Sequence, residues 1–380
     1  MDANKPKVID LFAGVGGFSL GLMRAGFDLA LAIDKDKHAM AAHKVNFPNL
    51  DHLLTDISDL DGNILLQRAN LGRGQLAGLV GGPPCQGFST MGKRDLSDSR
   101  NDLFNKFFEL VQQSKPKFYV AENVLGILHA KYEEILTNAL ALVEDEYVML
   151  PPLRLKASDF GAPTIRERVF FIGYRSDKKK VILPEHFEDH KVSKITTVTD
   201  ALMGLPRIID ENWLSEKDGW RSYEPLPNSY FWDRVKGHIP ENVGDKEALR
   251  RFNEEKIISG CLGTRHNSSV LKRYEILQQG ERDNISRASR LDENGLCPTI
   301  RAGTGSDRGS FQAVRPIHPI MPRVITPREA ARLQGFPDWF QFAPSKWHSF
   351  RQIGNSVSPI VSEVIFRVIA SQLDFSQTSS

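Results

Sequence analysis

One cysteine stands where a reacting group would be useful. Cys85 lies in the segment GGPPCQGFS, directly after the apolar run LAGLV. Ligands of open α/β sheets bind beyond the carboxyl ends of the strands, so a cysteine there can act as a nucleophile. A small fraction of an unperturbed thiol is thiolate at neutral pH, and nearby positive charge raises that fraction. Structural burial is the commoner fate of a lone cysteine, but the place after Pro-Pro at a strand end favours chemistry.

A second motif, VIDLFAGVGGFSLG, is rich in glycine. Three glycines follow a predicted strand and open a predicted helix: Gly14, Gly16 and Gly17. They allow a tight turn and close approach of the backbone to a ligand. Asp34, after the next strand, suits ribose hydroxyls, Asp10 suits a cofactor with a cationic group, and Ser19 stands where nicotinamide and flavin sites carry glycine. On this motif alone, a turn that binds no ligand is equally compatible.

A carboxyl group and two guanidinium groups are predicted at further strand ends. Glu122 ends the run FYVAE, and Arg166 and Arg168 precede the run VFFIGY. An acid can meet a ring nitrogen and amino group of a flat heterocycle while an arginine meets a carbonyl. An ordinary Arg–Glu pair at a sheet edge is the alternative, and only the presence of Cys85 favours the functional interpretation.

A fourth motif, RQIGNSVSPIV, lies near the carboxyl terminus. It places Asn355 ahead of an apolar segment of helical character. An asparagine in that position is most often a helix cap. The cap and a functional role are compatible, so both stay open.

These side chains need a sheet that brings strand ends together. From Lys7 to about Arg175, short apolar runs alternate with segments of helical period, the pattern of an α/β, doubly wound, mostly parallel sheet. Helices are predicted up to Gly26 and over residues 103–113. The predicted strands are VIDLF (8–12), LALAI (29–33), LAGLV (76–80), FYVAE (118–122) and VFFIGY (169–174).

The middle of the chain differs from its flanks in composition and in hydrophobic periodicity. It is richer in Pro, Asn, Gly and isolated Trp, with weak periodicity. This predicts a separate loop-rich domain over 178–321, between a first part, 1–177, and a carboxyl-terminal part, 322–380. Helix signals return in the carboxyl-terminal part. Thr326 can cap a helix, Pro327 suits its first position, Glu329 can close a capping box, and Gly335 can end the helix.

Composition bounds the class of protein. The chain has 380 residues, 41% hydrophobic and 25% charged, which is globular and long enough for two domains. Three cysteines without a Cys-x-x-Cys pair disfavour a disulfide scaffold and a structural zinc site, and favour a reducing compartment. No signal-peptide stretch and no apolar run of roughly 20 residues is present, so a cytoplasmic protein without a membrane partner is expected.

Net charge is near balance, with 49 basic against 47 acidic residues, which by itself argues mildly against a polyanionic partner. The distribution is uneven. Between residues 301 and 332 only Asp307 and Glu329 oppose six arginines at positions 301, 308, 315, 323, 328 and 332. We therefore expect a positively charged cleft rather than a protein with a high net positive charge.

In order and spacing, the motifs resemble the signature blocks of DNA cytosine-5 methyltransferases. The resemblance covers about 7–175 and 322–365, in the blocks DLFAGVGG, GGPPCQGFS, ENV, RERVF, ITPREAARLQGFP and QIGNSV. It implies a Rossmann-like S-adenosylmethionine-dependent methyltransferase domain and a smaller target recognition domain in the variable region. It also implies a monomer of the bacterial restriction–modification type that acts on a specific sequence in double-stranded DNA, alongside a restriction endonuclease without a stable complex.

The resemblance implies a role for each catalytic candidate. Cys85 would add to carbon 6 of a cytosine, making carbon 5 nucleophilic toward the methyl group, and loss of the carbon-5 proton would release the enzyme. Glu122 would bond ring nitrogen 3 and the exocyclic amine, while Arg168, with Arg166 beside it, would hold the carbonyl and orient Glu122. The cytosine must leave the duplex stack, and residues 86–98 would close over it.

The resemblance also assigns the cofactor and DNA contacts. Phe12 would pack near the adenine, Asp34 would take the ribose hydroxyls, and Asp56 with Ile57 would read the adenine edge. Pro84 and Asn355 would line the methionine side, and the glycine motif adds Asp10, Gly14, Gly16 and Gly17. The DNA-contact candidates are Gln86, Ser89, Lys93, Arg94, Thr299, Arg301 and Arg308. Phosphate contacts are the commoner kind for such arginines.

Two positions depart from the family pattern, and other enzymes remain as alternatives. Asp34 stands where Glu is common, and Thr164 where Gln usually begins the arginine block. An amino-group DNA methyltransferase would want an Asp, Asn or Ser at Gly82 and an aromatic residue at Cys85. A transfer RNA cytosine methyltransferase, an oxidoreductase and a catalytically inactive nucleic-acid-binding relative are the other candidates; the long variable region favours a DNA reader.

Overall fold

The computed structural model describes residues 5–84, 102–177, 181–210, 218–225, 229–303 and 314–375. Several residues that the sequence singles out lie outside these ranges: Cys85, Gln86, Ser89, Lys93, Arg94 and Arg308.

Within the described ranges, eight strands form the central sheet and two more form a short ribbon. The strands are β1 (Lys7–Leu11), β2 (Asp28–Asp34), β3 (Asp51–Leu54), β4 (Gly78–Gly81), β5 (Phe118–Asn123), β6 (Tyr147–Met149), β7 (Leu153–Lys156), β8 (Glu167–Arg175), β9 (Arg221–Ser222) and β10 (Ile257–Ile258). The sheet order is β3-β2-β1-β4-β5-β8-β6, with β7 also paired to β8. Strands β1 to β5 are parallel, so their carboxyl ends meet at one edge.

Helices cover both faces of this sheet, and short ones fill the middle of the chain. They are α1 (Gly17–Arg24), α2 (Lys37–Asn46), α3 (Gly62–Arg68), α4 (Asp102–Ser114), α5 (Glu133–Ala141), α6 (Glu185–Glu188), α7 (Val198–Leu202), α8 (Tyr230–Lys236), α9 (Lys246–Arg250), α10 (Ser268–Ile276), α11 (Pro327–Leu333), α12 (Lys346–Asn355) and α13 (Pro359–Gln372). Two large apolar clusters, one on each face of the sheet, bury its side chains.

The five predicted strands are confirmed to within two residues at each end, as β1, β2, β4, β5 and β8. Strands β3, β6 and β7 were not predicted, since each is three or four residues long and partly exposed, which leaves no apolar run to read. Strand β8 runs antiparallel to β5, so the sheet is parallel only through its first five strands.

The two ends of the chain build one layer. A side chain at Gly17 would collide with the Val357 carbonyl oxygen, and one at Gly21 would collide with the backbone of α13. The Ser362 hydroxyl donates to the Phe18 carbonyl at 2.9 Å. Helix α13 therefore packs directly on α1, and the last helix completes the fold that the first strand begins.

The predicted capping box at the start of α11 is confirmed. The Thr326 hydroxyl accepts a hydrogen bond from the Glu329 amide at 3.2 Å, and the Glu329 carboxylate accepts one from the Thr326 amide at 2.7 Å. Gly335, with φ +90°, follows the end of the helix in the left-handed conformation that glycine favours.

The middle of the chain is loop-rich, as predicted, but its core is continuous with the rest. Trp232 and Phe252 belong to the same apolar cluster as the helices of the carboxyl-terminal part. The buried Arg332 pairs with Asp338 at 2.6 Å and donates to the Met203 carbonyl at 2.6 Å. A third, small cluster, around Tyr274, Ala288, Ile317 and Val324, is separate from the two large ones.

One described segment, Lys346–Gln372, is long and apolar enough by composition to cross a membrane. In its most apolar window, 89% of the residues are buried inside the fold, as in the core helices of a folded protein.

Candidate active site

A cavity of about 340 Å³ opens where the parallel strands end. Residues that follow β1, β2 and β4 form its floor, Glu122 of β5 forms one wall, and the end of α12 closes it. The predicted site residues that line it are Phe12, Gly14, Gly17, Asp34, Asp56, Ile57, Pro84, Glu122, Arg166, Arg168 and Asn355. Residues from distant parts of the sequence thus share one pocket of ligand-binding size.

Asp34 holds the glycine turn that follows β1. Its carboxylate accepts hydrogen bonds from the Gly14 and Asp36 amides, each at 2.8 Å. Burial raises the pKa of Asp34 from its ordinary value. Phe12 has φ +59°, a conformation that is strained for a residue with a side chain, and Gly14 has φ +58°. The acid and the strained turn together keep the backbone of this loop against the cavity.

Asp56 supplies a second carboxylate beyond β3. It pairs with the Lys35 ammonium at 2.8 Å and accepts from the Ser58 amide at 3.1 Å. The hydrogen bond from Lys35 lowers the pKa of Asp56. Next to it, Ile57 is buried and presents an apolar surface to the cavity. Asp34 and Asp56 thus offer two hydrogen-bond acceptors along one side of the pocket.

Two predicted cofactor contacts in the glycine motif do not line the cavity. Asp10 is fully buried, and its carboxyl oxygen lies 2.6 Å from the Ser19 hydroxyl inside the layer between β1 and α1. A side chain at Gly16 would collide with the ring of Phe47, so this glycine allows α2 to pack closely. The geometry therefore gives both residues a place beneath the cavity rather than the predicted direct contact with a cofactor.

Glu122 and Arg168 meet across the junction of β5 and β8. The Arg168 Nε atom lies 2.8 Å from Glu122 Oε1, and its Nη1 donates to the Glu167 carbonyl at 2.8 Å. The ion pair is close without forming a well-aligned hydrogen bond, and both side chains are mostly buried. The predicted acid and arginine therefore share one wall of the cavity.

Asn123, next to Glu122, positions the Pro-Pro turn and was not among the predicted site residues. Its side-chain amide donates to the Pro83 carbonyl at 3.4 Å, and it is buried. The contact ties the end of β5 to the Pro-Pro turn that directly precedes Cys85. The ENV block already contained Asn123, but its sequence position alone does not reveal the contact.

The variable region reaches the cavity through residues 297–302. The Thr164 hydroxyl donates to the Cys297 carbonyl at 3.1 Å, and Arg166 donates to the Ile300 carbonyl at 3.4 Å. A side chain at Gly354 would lie 2.5 Å from the backbone of residues 301 and 302. Thr299 is half-buried and Arg301 exposed, and neither lines the cavity; they lie beside it.

The local excess of arginine seen in the sequence is mostly not a surface charge. Arg328 and Arg332 are buried, the latter against Asp338, and Arg323 pairs with Glu329 at 2.7 Å. Arg315 lies over the Phe350 ring, and burial lowers its pKa to about 10. Among the described arginines of this segment, Arg301 is the exposed one, because the others bond carbonyls and carboxylates inside the fold.

Asn355 does not cap the last helix. It ends α12 and lines the cavity, while Ser358 precedes α13 and Pro359 takes its first position. The intervening turn separates the asparagine from the apolar helix, so of the two roles that the sequence left open the cap is not observed.

Several polar residues that line the cavity were not predicted, among them His38, His348, Arg351 and Gln352. The rings of His38 and His348 lie 3.8 Å apart, and Gln352 donates to the His38 carbonyl at 3.0 Å. Arg351 and Gln352 stand in the RQIGNSV block, which was a usable signal. Nothing in the sequence around His38 pointed to the cavity, because its place depends on how α2 meets α12.

Comparisons with known proteins show to which family the chain belongs. The family model of C-5 cytosine-specific DNA methylases matches residues 6–371. The type II methyltransferase M.XorII of Xanthomonas oryzae is 40% identical over 364 residues, covering 95% of this chain and 84% of that protein. The type II methyltransferase M.DdeI of Desulfomicrobium norvegicum is 33% identical, covering 94% of this chain and 87% of that protein.

Solved structures show the same architecture. A crystal structure described as that of a DNA modification methyltransferase encoded within an E. coli prophage has a TM-score of 0.88 and 49% identity, covering 97% of this chain and 100% of its own. The S. pombe Dnmt2 methyltransferase, at 18% identity and a TM-score of 0.66, covers 97% of this chain and all of its own and shares the fold. The chain therefore belongs to the C-5 cytosine-specific DNA methylase family, whose reaction places a methyl group on carbon 5 of cytosine in DNA.

Proposed function

We propose that the protein binds S-adenosylmethionine in the cavity and methylates a flipped-out cytosine of a specific duplex sequence through Cys85. The observation that carries this proposal is the convergence of Asp34, Glu122 and Arg168 on one pocket whose wall ends at Pro84, the residue before Cys85. The related type II methyltransferases support assignment to a restriction–modification system.

The described residues fit the cofactor. Two carboxylates, Asp34 and Asp56, face one side of the pocket, where ribose hydroxyls and an adenine amino group can donate to them. Phe12 and Ile57 offer apolar surface for a flat ring. A side chain at Gly14 would have the Phe12 carbonyl oxygen, at 3.9 Å, as its nearest neighbour among the described residues, so a ligand can approach the backbone there. When bound, the cofactor supplies an electrophilic methyl group on a sulfonium.

The chemistry then follows from the protein's own groups. Cys85 adds to carbon 6 of cytosine, which makes carbon 5 nucleophilic. Glu122 holds ring nitrogen 3, and Arg168 keeps the Glu122 carboxylate turned toward the ring. Arg166, anchored to the Ile300 carbonyl, supports the neighbouring strand and links this wall to the variable region. Extrusion of the base costs a few kcal/mol, which DNA contacts must offset.

The recognition surface is proposed to lie in the middle of the chain. Residues 178–321 act as the target recognition part between catalytic segments 1–177 and 322–380. Thr299 and Arg301 are proposed DNA contacts because their segment lies beside the cavity, where the backbone of Arg301 packs against Gly354 of the carboxyl-terminal part. The protein is proposed to be a cytoplasmic monomer. It is proposed to protect DNA from a restriction endonuclease without forming a complex with that endonuclease.

Transfer of a tritiated methyl group from S-adenosylmethionine to duplex DNA tests the function. We expect transfer by the wild type, loss in Cys85→Ser, and retention in Cys261→Ala, a buried cysteine outside the cavity. Transfer to transfer RNA instead of DNA would identify the other substrate class. Full activity of Cys85→Ser would refute the nucleophile.

Covalent trapping provides an independent readout of carbon-5 chemistry. DNA in which the target cytosine is replaced by 5-fluorocytosine should form a stable complex with the wild type, because fluorine cannot leave as a proton does. The target itself is found by methylome sequencing in a host without other cytosine methylation, and the trapping substrate is then built on that site. No trapped complex on that substrate contradicts the proposed adduct.

A further inference from the structure

A continuous chain of hydrogen bonds runs from beneath the cavity to the edge of the sheet. Asp10 Oδ2 lies 2.6 Å from Ser19 Oγ, which lies 3.0 Å from His43 Nε2. His43 Nδ1 lies 2.9 Å from His52 Nε2, and His52 Nδ1 lies 2.9 Å from the Leu50 carbonyl oxygen. The chain crosses from β1 through α1 and α2 to β3.

The last bond of this hydrogen-bond chain determines which atom of each pair carries the proton. A carbonyl oxygen only accepts, so His52 donates from Nδ1 to Leu50. A neutral His52 then accepts at Nε2 from His43, His43 accepts at Nε2 from Ser19, and Ser19 accepts from a protonated Asp10. If each proton shifts one step along, Asp10 becomes a carboxylate and His52 an imidazolium. Both arrangements hold the same number of protons and satisfy every bond in the chain.

Burial favours the neutral arrangement. Asp10, Ser19 and His43 are fully buried, while His52 is half-buried and forms the exit to solvent. Burial raises the pKa of Asp10 to about 7, and it lowers the pKa of His43 well below its ordinary value. The second carboxyl oxygen of Asp10 has no hydrogen-bond partner among the described residues, which leaves its negative charge poorly compensated when it ionises.

Among the described residues, few charged groups surround this chain. Asp34 of β2 faces Asp10 and raises its pKa further. Lys44 and Asp51 act in opposite directions on His52. The residues of β4 beside β1 are apolar, and on α13 the carboxylate of Glu363 is taken up by arginines, including Arg24. No described cation thus compensates an ionised Asp10.

We infer that Ser19, His43 and His52 are positioning residues that let Asp10 change its charge beneath the cavity, so that the ionised form favours a cationic methyl donor over its neutral product. The inference rests on the proposed function, since it takes the cavity to be the S-adenosylmethionine site. Ionisation breaks the O–H bond of Asp10, and protons shift through Ser19 and His43 to His52 Nε2. His52 then releases its Nδ1 proton to water, which ends its hydrogen bond to the Leu50 carbonyl. After transfer the thioether is neutral, and Asp10 takes a proton back by the same path.

Equilibrium binding to the unmodified enzyme without DNA provides the first test. With half-ionisation near pH 7, the ionised fraction grows about tenfold from pH 6 to pH 8, so S-adenosylmethionine should bind about tenfold more tightly at pH 8. S-adenosylhomocysteine, which lacks the sulfonium charge, should change less than twofold. Calorimetry at pH 7 in two buffers should record release of about half a proton with the cationic ligand alone.

Variants distinguish the effect of the hydrogen-bond chain from general effects on the fold. Asp10→Asn should abolish both the pH dependence and the proton release. Ser19→Ala removes the hydrogen bond that lowers the pKa of Asp10, so the rise in affinity should move to higher pH. Ser362→Ala is the matched control, because Ser362 is equally buried against α1 but lies outside the chain.

A structural readout follows His52 in the ligand-free protein. In protein with isotope-labelled histidine, the ring signals of His52 should shift near pH 7 in the wild type and in Ser362→Ala, and lose that step in Ser19→Ala and in Asp10→Asn. Equal pH dependence for the two ligands, or its persistence in Asp10→Asn, overturns the inference while leaving the cofactor site intact. Failure of both ligands to bind overturns the proposed function and this inference with it.

Discussion

At the scale of single residues, Asp34 shows how one side chain serves both fold and site. Its carboxylate bonds the Gly14 and Asp36 amides and at the same time lines the cavity. Asp34 is shorter than the glutamate that is common at this position. It still reaches from the end of β2 to the glycine turn that follows β1. A substitution here should therefore affect binding through the turn as well as through the lost contact.

We expect Asp34→Asn to weaken S-adenosylmethionine binding by about 10- to 100-fold. Asparagine keeps one hydrogen-bond acceptor, its side-chain oxygen. Its NH2 group instead faces a backbone N–H that bonded the carboxylate, and the loss of that hydrogen bond costs about 1–3 kcal/mol. Calorimetric titration of the ligand measures the effect. Asp59→Asn, an exposed acid outside the cavity, is the control and should bind as the wild type does. Unchanged affinity in Asp34→Asn would show that the turn does not depend on this acid.

Asp10 should also leave a signature in stability. Its pKa is raised by burial to about 7 in the folded protein, from an ordinary value of 3.8. The folded state therefore binds more protons than the unfolded state between those values, and this group's contribution to stability falls as pH rises from about 4 to about 7. In Asp10→Asn that loss is absent. The melting temperature of the variant relative to the wild type should rise over this range, whereas the relative value for Ser362→Ala, which removes no ionisable group, should stay constant.

At the scale of elements, the contact between α1 and α13 joins the two ends of the chain. It is close because Gly17 and Gly21 leave no side chain between the helices. The glycines of α1 and the apolar residues of α13 are visible in the sequence, but neither motif names the other as its partner. The juxtaposition brings Asn355 and Val357 to the cavity.

Gly21→Ala should destabilise the protein by about 1–2 kcal/mol. A methyl group there collides with Ser362 and the Glu363 amide, and overpacking outweighs the better helix propensity of alanine. Chemical denaturation measures the change. Gly72→Ala is the control, because its nearest neighbour is a flexible glutamine oxygen at 3.4 Å, and it should stay within about 0.5 kcal/mol of the wild type. Equal effects in the two variants would contradict this account of the contact.

At the scale of the whole molecule, a balanced charge is compatible with DNA as substrate, but the arginine count between residues 301 and 332 overstates the basic surface. Arg328 and Arg332 stabilise the junction of the middle and carboxyl-terminal parts instead of facing a phosphate. Arg301 stays exposed beside the cavity.

Arg301→Gln should weaken DNA binding on all sequences and lower the slope of log affinity against log salt by about 1, as expected for loss of one phosphate contact. Titrations at several salt concentrations measure the slope. Arg68→Gln, an exposed arginine on α3, is the control and should leave it unchanged. Relaxed preference at one base pair with an unchanged slope would mean that Arg301 reads a base.

Local patterns in the chain were enough to predict the α/β class, the five main strands and the capping box at Thr326, because these depend on periodicity and turn chemistry. These patterns also pointed to Asp34, Glu122, Arg166 and Arg168 at strand ends, whereas Phe12, Asp56 and Ile57 were expected only from the resemblance in motif order. They were not enough to predict that Asp10 lies beneath the cavity, that Asn355 ends a helix instead of capping one, or that Arg332 is buried against Asp338. Each of these depends on which distant segment supplies the neighbour. The folded chain settles them, because burial and hydrogen-bond partners arise from contacts between residues that are far apart in the sequence.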